Sequence, residues 1–120
     1  MTPYLVHQFL DAAAADRPGQ PFLIHDGEQT TYAEAEAGAN RVAHALLRAK
    51  IRRGDRVGLL CQNSRLYVQS YYGILKAGAI AVPLNTAADG LTVRGFLADC
   101  GARGLIVGTR LERVAGEAAQ

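Results

Sequence analysis

The stretch YYGILKAGAIAVPLN, residues 71–85, holds two apolar runs separated by Lys-Ala-Gly. The first run completes an amphipathic helix, and Gly78 is expected to end it because glycine tolerates the left-handed conformation found after helix C-termini. The second run, residues 79–84, is typical of a strand buried in a sheet, and Pro83 is expected to confine strand pairing to the residues before it. The stretch therefore predicts the helix-to-strand half of a βαβ unit. The apolar face of its helix comprises Tyr67, Tyr71, Ile74 and Leu75.

Two further apolar runs repeat this pattern on either side. RVGLLC at 56–61 and GLIVG at 104–108 are each typical of a strand buried on both faces. A helix is predicted over 86–101, weakened by Gly90 and Gly95, which each cost about 1 kcal/mol relative to alanine in a helix interior. The order strand, helix, strand, helix, strand, helix predicts an α/β fold with a three-stranded parallel sheet, right-handed crossovers and flanking helices.

The N-terminal part is expected to form a helix and a short hairpin. Thr2 and Pro3 combine an N-cap hydroxyl with a proline at the first helical position, and this pair predicts the start of the first helix. The segments 22–26 and 29–32 are predicted as two short strands joined by a tight turn at 27–28.

Capping residues mark the starts of the other helices. Thr31 and Glu34 form a T-x-x-E capping box, which predicts a helix that begins directly after Thr31 and stops at Gly54. The helices at about 32–50 and 64–77 are expected to pack on the sheet. The apolar stripe of the first comprises Ala35, Ala39, Val42, Ala43 and Leu46. Further caps are predicted at Asn63 or Ser64, and in a second capping box at Thr109 and Glu112.

Composition excludes several classes of protein. The chain is 49% hydrophobic and 20% charged with a formal net charge of +2, which is typical of a globular domain. Its basic run is interpreted as a solvated helix end, where cations complement the helix dipole, and not as a nucleic-acid interface. The N-terminus shows the pattern of neither a signal peptide nor a membrane span, so we expect a cytoplasmic protein with no transmembrane segment. The basic run comprises Arg48, Lys50, Arg52, Arg53 and Arg56.

The sequence contains no complete motif for catalysis, cofactor binding or metal binding. It has no G-x-G-x-x-G after a strand, no G-x-x-x-x-G-K-[ST] and no G-x-S-x-G. Ser64 is interpreted as a helix cap and Cys61 as an inert buried thiol, and Cys61 and Cys100 lack zinc-ligand spacing and any pattern that supports a disulfide. We therefore assign no catalytic, cofactor-binding or metal-binding residue. Surface, packing or turn roles are expected for His7, His25, His44, Asp26, Asp55, Asp89 and Asp99.

Five motifs occur in an order that resembles a known family. They are T-Y-x-E (31–34), Asn40, G-D-R-V (54–57), Asn63-Ser64, and the segment L-K-A-G-A…V-P-L-N (75–85). From about residue 5 to 115 the chain resembles the N-terminal region of the adenylate-forming (AMP-dependent) acyl-CoA synthetase and ligase superfamily. The resemblance implies that residues 1–120 form a partial N-terminal subdomain of an AMP-binding domain.

The resemblance also implies the chemistry of a longer enzyme. Members of this superfamily activate a carboxylic acid with ATP and Mg²⁺ as an acyl-adenylate, and most then transfer the acyl group to CoA or to a carrier protein. Their phosphate loop, acidic Mg²⁺ ligand, ribose-binding aspartate and adenylation lysine all follow the region matched here, and none of these motifs occurs in this sequence. We therefore expect the 120-residue chain to be inactive alone, with ATP, Mg²⁺ and CoA belonging to the full-length ligase.

Three positions depart from the superfamily pattern or vary within it. Lys50 stands where relatives commonly have glycine, and it is expected to lengthen the preceding helix. Asn85 stands where adenylation domains of peptide synthetases usually have aspartate, which favours an acyl-CoA ligase. Ala87 stands where some CoA-using relatives have arginine, so no CoA contact is carried over to this chain.

Two other hypotheses stay open for the function. The chain could be a free-standing non-catalytic interaction module derived from this fold, or an adenylation-domain fragment of a peptide synthetase. In each case a short parallel sheet leaves at least one strand edge without a partner. We expect the isolated chain to aggregate, to self-associate through that edge, or to need the remainder of the ligase chain to fold.

Overall fold

The computed structural model describes residues 5–62, 64–108 and 111–119 of the chain. Within them the helices and strands alternate as the apolar pattern predicts. The helices are α1 (Val6–Asp16), α2 (Tyr32–Arg48), α3 (Arg65–Lys76), α4 (Gly90–Cys100) and α5 (Glu112–Ala118). The strands are β1 (Pro21–His25), β2 (Glu28–Thr31), β3 (Arg56–Leu60), β4 (Ile80–Pro83) and β5 (Gly104–Val107). No helix in these ranges is both long and apolar enough to cross a membrane.

The three predicted parallel strands form one sheet in the order β4-β3-β5, which confirms the α/β prediction. β3 is the central strand, and Val57, Leu59 and Leu60 on it have no exposed surface. The expectation that all three strands are buried on both faces is wrong for β4 and β5. Both are edge strands of intermediate or exposed residues, and Ile80 on β4 is 46% exposed.

Pro83 does not confine the pairing of β4 as expected, because its register with Leu59 continues the parallel ladder. The N–H of Ile80 donates to Asp55 (2.8 Å), and that of Leu84 donates to Leu59 (3.0 Å). Since the backbone alternates in direction along a strand, the nitrogen of Pro83 points away from β3, and the missing N–H costs the ladder no hydrogen bond.

Helices cover the two faces of the sheet unequally. α3 covers one face, where Ile74, Tyr67 and Tyr71 pack on a cluster that includes Val57 and Leu59. α4 and α5 cover the other face. The prediction that α2 packs on the sheet needs correction, since α2 lies mainly against α3 and Leu46 near its end reaches the sheet cluster. Contributing residues on the second face are Leu60, Val93, Leu97, Leu105, Val114 and Ala118.

The contact between α2 and α3 depends on glycine. A Cβ on Gly73 would lie 2.5 Å from Val42 Cβ and 2.9 Å from the carbonyl oxygen of Ala39. Both distances are shorter than van der Waals contact, so the two helix backbones approach more closely than a side chain at position 73 would permit.

The hairpin lies one residue earlier than predicted. β1 and β2 pair antiparallel, and the turn between them is formed by Asp26 and Gly27, with φ values of 50° and 78°. Both central residues have positive φ, as two-residue hairpin turns require, and Asp-Gly is a favoured sequence there. The predicted helix start at Thr2 and Pro3 lies outside the described residues. The described part of α1 begins at Val6, where the Leu5 N–H donates to Gln8 Oε1 (2.9 Å).

Two predicted caps, Thr31 and Ser64, lie at the starts of α2 and α3, and Asp89, expected near a turn, caps α4. Thr31 and Glu34 make both bonds of a capping box (3.1 and 2.9 Å). Ser64 accepts a hydrogen bond from the Tyr67 N–H (3.2 Å), and Asp89 accepts one from Thr92 at the start of α4. Asn63 and Thr109, the other predicted caps, lie outside the described residues.

Three helices end in the same C-terminal motif, in which a residue with positive φ donates a backbone hydrogen bond to the last turn. In one of the three, that residue is not glycine. At the ends of α3 and α4, Gly78 and Gly101 have φ values of 81° and 65° and donate back to the last turn. α2 ends at Arg48, and Lys50 occupies the equivalent position with a φ of 69°. The predicted stop at Gly54 and the predicted lengthening of this helix are therefore both wrong. Lys50 does not extend α2, since the Lys50 N–H donates to Leu47 and the motif closes as in the other helices.

We predict opposite effects on stability for alanine at two helical glycines. Gly73→Ala should lower the free energy of unfolding by about 1–3 kcal/mol, because its methyl group clashes with Val42 and the Ala39 carbonyl. Gly95→Ala should raise it by about 0.5–1 kcal/mol, because nothing lies within 4 Å and alanine favours the helix. Urea unfolding measures both changes, and a stabilising Gly73→Ala would contradict the packing.

Lys50→Gly should stabilise the chain. A non-glycine residue in the left-handed region costs about 1–2 kcal/mol, and glycine adds about 0.4–1 kcal/mol of unfolded-state entropy, so a net gain of about 0.5–1 kcal/mol is expected. Lys50→Ala removes the charge but keeps the Cβ atom, and it should bring no such gain. Thermal melts of the native chain and both variants measure the change. An equal rise in melting temperature for Lys50→Gly and Lys50→Ala would contradict backbone strain at position 50.

Candidate functional site

The carboxyl edge of the parallel sheet is the candidate site, because ligands of open α/β sheets bind beyond the carboxyl ends of the strands. There Cys61 and Gln62 follow β3, Asn85 follows β4 and Gly108 follows β5. The Gly108 N–H donates to Leu60 (3.0 Å), and a Cβ on Gly108 would lie 3.2 Å from Cys61 Sγ. The ends of the central strand and of β5 are therefore packed against each other.

The two nucleophilic side chains at this edge make local hydrogen bonds. Ser64 Oγ donates to the Gln62 carbonyl oxygen (3.0 Å) and accepts from the Tyr67 N–H, as the cap interpretation predicts. Cys61 is 5% exposed, and its thiol lies 3.3 Å from the same carbonyl oxygen and 3.8 Å from Ser64 Oγ. No general base contacts either group among the described residues, so neither is arranged as a nucleophile. Cys61 and Cys100 are both free thiols.

The loop after β4 is a turn closed by its own side chains. Asn85 Oδ1 accepts a hydrogen bond from the Ala87 N–H (2.9 Å), and Asp89 then caps α4. Backbone hydrogen bonds to Asp89 lower the pKa of its carboxyl group, as expected for a carboxylate at a helix N-terminus. These polar groups serve the turn and the cap.

The three histidines lie far apart in the fold. His7 is on α1, His25 on β1 beside Asp26 (3.7 Å), and the exposed His44 is on α2. The structure brings none of them to the carboxyl edge of the sheet. The interpretation of all three as surface or packing residues agrees with these positions.

A buried charged cluster joins three helices, and no sequence pattern indicated it. Lys76 on α3 donates to Asp11 on α1 and to Glu36 on α2, and the Lys76 side chain is only 11% exposed. Burial alone would lower the pKa of Lys76, but its two carboxylate partners outweigh burial and raise it. Burial alone would raise the pKa of Asp11, but the hydrogen bond from Lys76 leaves it lowered. The second carboxylate oxygen of Glu36 is buried without a hydrogen-bond partner among the described residues.

Replacing the cation of this cluster should destabilise the chain in a pH-dependent way. Lys76→Met leaves two neighbouring carboxylates poorly solvated, and we expect a loss of about 1–3 kcal/mol at neutral pH. In the native chain the Asp11 contribution is present above its ordinary pKa of 3.8 and is lost as pH falls through its lower folded value. The Lys76 contribution is present below its ordinary pKa of 10.5 and is lost above it, as pH rises through the raised folded value.

The difference in unfolding free energy between the Lys76→Met variant and the native chain should therefore be constant near neutral pH. This difference should shrink as pH falls toward about 4, where the Asp11 carboxyl group, left without its lysine partner, takes up a proton. Arg113→Met is the matched control, because Arg113 is 92% exposed in its pair with Glu117, and the change should stay within about 0.5 kcal/mol. Chemical unfolding between pH 4 and 8 measures both variants, and a difference that ignores pH would count against the ion pairs.

Comparison with known proteins gives a consistent result. The model of a protein family described as AMP-binding enzyme matches residues 10–120. Among solved structures, the anthranilate CoA ligase AuaEII, in complex with anthranoyl-AMP, is 33% identical with a TM-score of 0.86. The alignment covers 97% of this chain and 24% of that ligase.

Curated proteins give similar matches. Long-chain fatty acid transport protein 6 of Homo sapiens is 33% identical over 99 residues, which is 82% of this chain and 16% of that protein. Surfactin synthase subunit 1 of Bacillus subtilis is 34% identical over 105 residues, 88% of this chain and 3% of that protein. The chain thus spans a small part of the length of each relative. Because the family model matches nearly the whole sequence, this chain belongs to the AMP-binding enzyme family.

Proposed function

We propose that these 120 residues form the N-terminal part of an adenylate-forming domain. The complete enzyme activates a carboxylic acid as an acyl-adenylate with ATP and Mg²⁺ and transfers the acyl group to CoA. The observation that carries this proposal is the match of residues 10–120 to the family, together with the fold shared with a CoA ligase over 97% of this chain. We further propose a cytoplasmic location for this enzyme.

Within that enzyme these residues act as scaffold. In the described ranges no group of three or more His, Cys, Asp or Glu side chains could hold a metal ion. At the carboxyl edge of the sheet, Ser64 and Asp89 already accept hydrogen bonds from the first turns of α3 and α4. The described residues at this edge therefore do not fit the phosphates of ATP or Mg²⁺.

The acyl acceptor is the second question, and two candidates stand. The match to surfactin synthase subunit 1 favours a peptide-synthetase adenylation domain, in which a carrier protein would accept the acyl group. Asn85, in place of the aspartate usual in such domains, favours CoA. We propose CoA as the acceptor of the acyl group.

A chimera tests the scaffold role directly. Residues 5–119 replace the matching segment of the anthranilate CoA ligase, and anthranilate-dependent ATP–pyrophosphate exchange is measured. We expect exchange well above background, because the catalytic groups come from the remainder and the scaffold keeps its fold. The isolated chain should show no exchange with any carboxylic acid.

Two results would contradict the proposal. Exchange catalysed by residues 1–120 alone would show that the catalytic groups are in this chain. A folded chimera without exchange, when a chimera built with another family member's segment is active, would favour the free-standing interaction module. Including Gly73→Ala in the active chimera provides a control, since loss of the α2–α3 contact should reduce its thermal stability.

A further inference from the structure

A cluster of cations lies at the amino edge of the parallel sheet, on the opposite side from the candidate site. Lys50, Arg52 and Arg53 lie in the loop before β3, and Arg103 lies in the loop before β5. Arg56 is the first residue of β3, and all five residues are exposed. Because the whole chain carries a formal net charge of only +2, this edge is more positive than the rest of the chain.

The helix C-termini at this edge explain only part of the cluster. Cations near the last carbonyl groups of a helix complement its dipole, and Arg56 does so by donating to the Cys100 carbonyl oxygen at the end of α4 (3.1 Å). The side chains of Lys50, Arg52 and Arg103 make no hydrogen bond and no ion pair with any residue that the structure describes. Their charges are therefore available to a ligand.

Backbone hydrogen bonds tie together the loops that carry these cations. The Gly54 N–H donates to the Gly78 carbonyl oxygen (2.9 Å), which joins the loops before β3 and β4. The Arg103 N–H donates to the Arg56 carbonyl oxygen (2.8 Å), which joins the loop before β5 to the central strand. The backbone at this edge is therefore fixed, and only side chains have to be ordered when a ligand binds.

A cavity of about 390 Å³ lies at this edge, within the size range of small-molecule sites. Lys50, Arg52 and Arg103 line it, together with Asp55 and the buried Ile51. Asp55 already closes its own turn, because its Oδ2 accepts a hydrogen bond from the Arg52 N–H (2.7 Å). Three cations and one carboxylate give the lining a net charge of +2, so the cavity attracts an anion.

We propose that this cavity binds the phosphate groups of a small polyphosphate compound, at a site separate from the candidate site. Two of its three cations are arginines, whose planar guanidinium groups match the oxygens of a phosphate in pairs. A compound with several phosphates carries enough charge to engage all three cations at once. Inorganic polyphosphate and a nucleotide share this chemistry, and the test below distinguishes them.

Other anionic partners fit the cavity less well. Single-stranded nucleic acid stacks its bases on aromatic side chains, and none of the described residues that line the cavity is aromatic. An acidic protein segment binds tightly where apolar anchors enter the centre of its interface, but the apolar residues in this lining are only Ala49 and the buried Ile51. An acidic peptide is therefore included in the test as the competing partner.

A titration of the isotope-labelled 120-residue chain with inorganic triphosphate, followed by NMR at constant ionic strength, tests the proposal. We expect saturable shifts of the backbone amides at 50–55 and 101–104, and none at Ser64 or Asn85. The titration contains no carboxylic acid and no Mg²⁺. Its outcome is therefore independent of the proposed ligase activity.

Single substitutions identify the cations that hold the ligand. Lys50→Met, Arg52→Met and Arg103→Met should each weaken triphosphate binding by about two- to fivefold, the range for exposed ion pairs, and the triple variant by about tenfold or more. Arg103→Lys should regain part of the loss, because it keeps the charge without the planar fork. Arg94→Met is the matched control, since Arg94 is exposed on α4 and absent from the cavity lining.

The remaining outcomes decide the ligand class. Equal losses for Arg94→Met and Arg103→Met, or shifts that do not saturate, would mean attraction by net charge alone and overturn the proposal. A hexaglutamate peptide that binds more tightly than triphosphate also overturns it, in favour of an acidic protein segment. A nucleoside triphosphate that binds more tightly than inorganic triphosphate supports the proposal with a nucleotide as the source. Equal affinity supports it with the phosphate groups alone.

Discussion

Every strand pairing of the parallel sheet involves β3. Both neighbouring strands pair with it, and its side chains alternate between the α3 face and the face covered by α4 and α5. Gly58 makes the second face compact, because a Cβ there would lie 2.8 Å from a Leu97 methyl group and 3.0 Å from one of Leu105. A strand buried on both faces cannot tolerate polar residues at Val57, Leu59 or Leu60. The continuous apolar run of β3 is thus the condition on which both helical layers depend.

The second constraint lies between α2 and α3, outside the sheet. α2 has little direct contact with the strands of the parallel sheet, so its position over α3 depends on the close approach at Gly73 and on the hydrogen bonds that Lys76 makes to Asp11 and Glu36. Packing and charge act together here. The glycine brings the two backbones close enough for a lysine on one helix to reach carboxylates on two others, and the shared ion pairs hold α1 over the α2–α3 pair.

Local sequence patterns predict much of the fold. Features that depend on contacts between residues distant in the sequence could not be predicted from these patterns. The strands, the Thr31–Glu34 box and the Ser64 cap depend on neighbouring residues, and they could be predicted. The sequence pattern predicts the hairpin turn one residue late, because Gly27-Glu28 and Asp26-Gly27 are both plausible turns in isolation. Burial of β4 was overestimated because an apolar run does not say whether a strand is central or at an edge. In the sequence, Lys76 lies 65 positions after Asp11 and 40 positions after Glu36. No helical or strand periodicity could indicate contacts at these separations.

The arrangement of helix ends bears on the proposal that this chain supplies the scaffold of a ligase. In a parallel sheet with crossover helices, the C-termini of α3 and α4 lie at the amino edge of the strands. Basic residues at that edge interact with the helix C-termini: the Arg56 side chain donates a hydrogen bond to the Cys100 carbonyl oxygen at the end of α4 (3.1 Å). The helix N-termini point to the carboxyl edge, where backbone donors would attract an anion. Ser64 and Asp89 accept hydrogen bonds from those first turns. In the proposed enzyme, phosphate chemistry at this edge would therefore draw further cations and free donors from segments beyond the described residues.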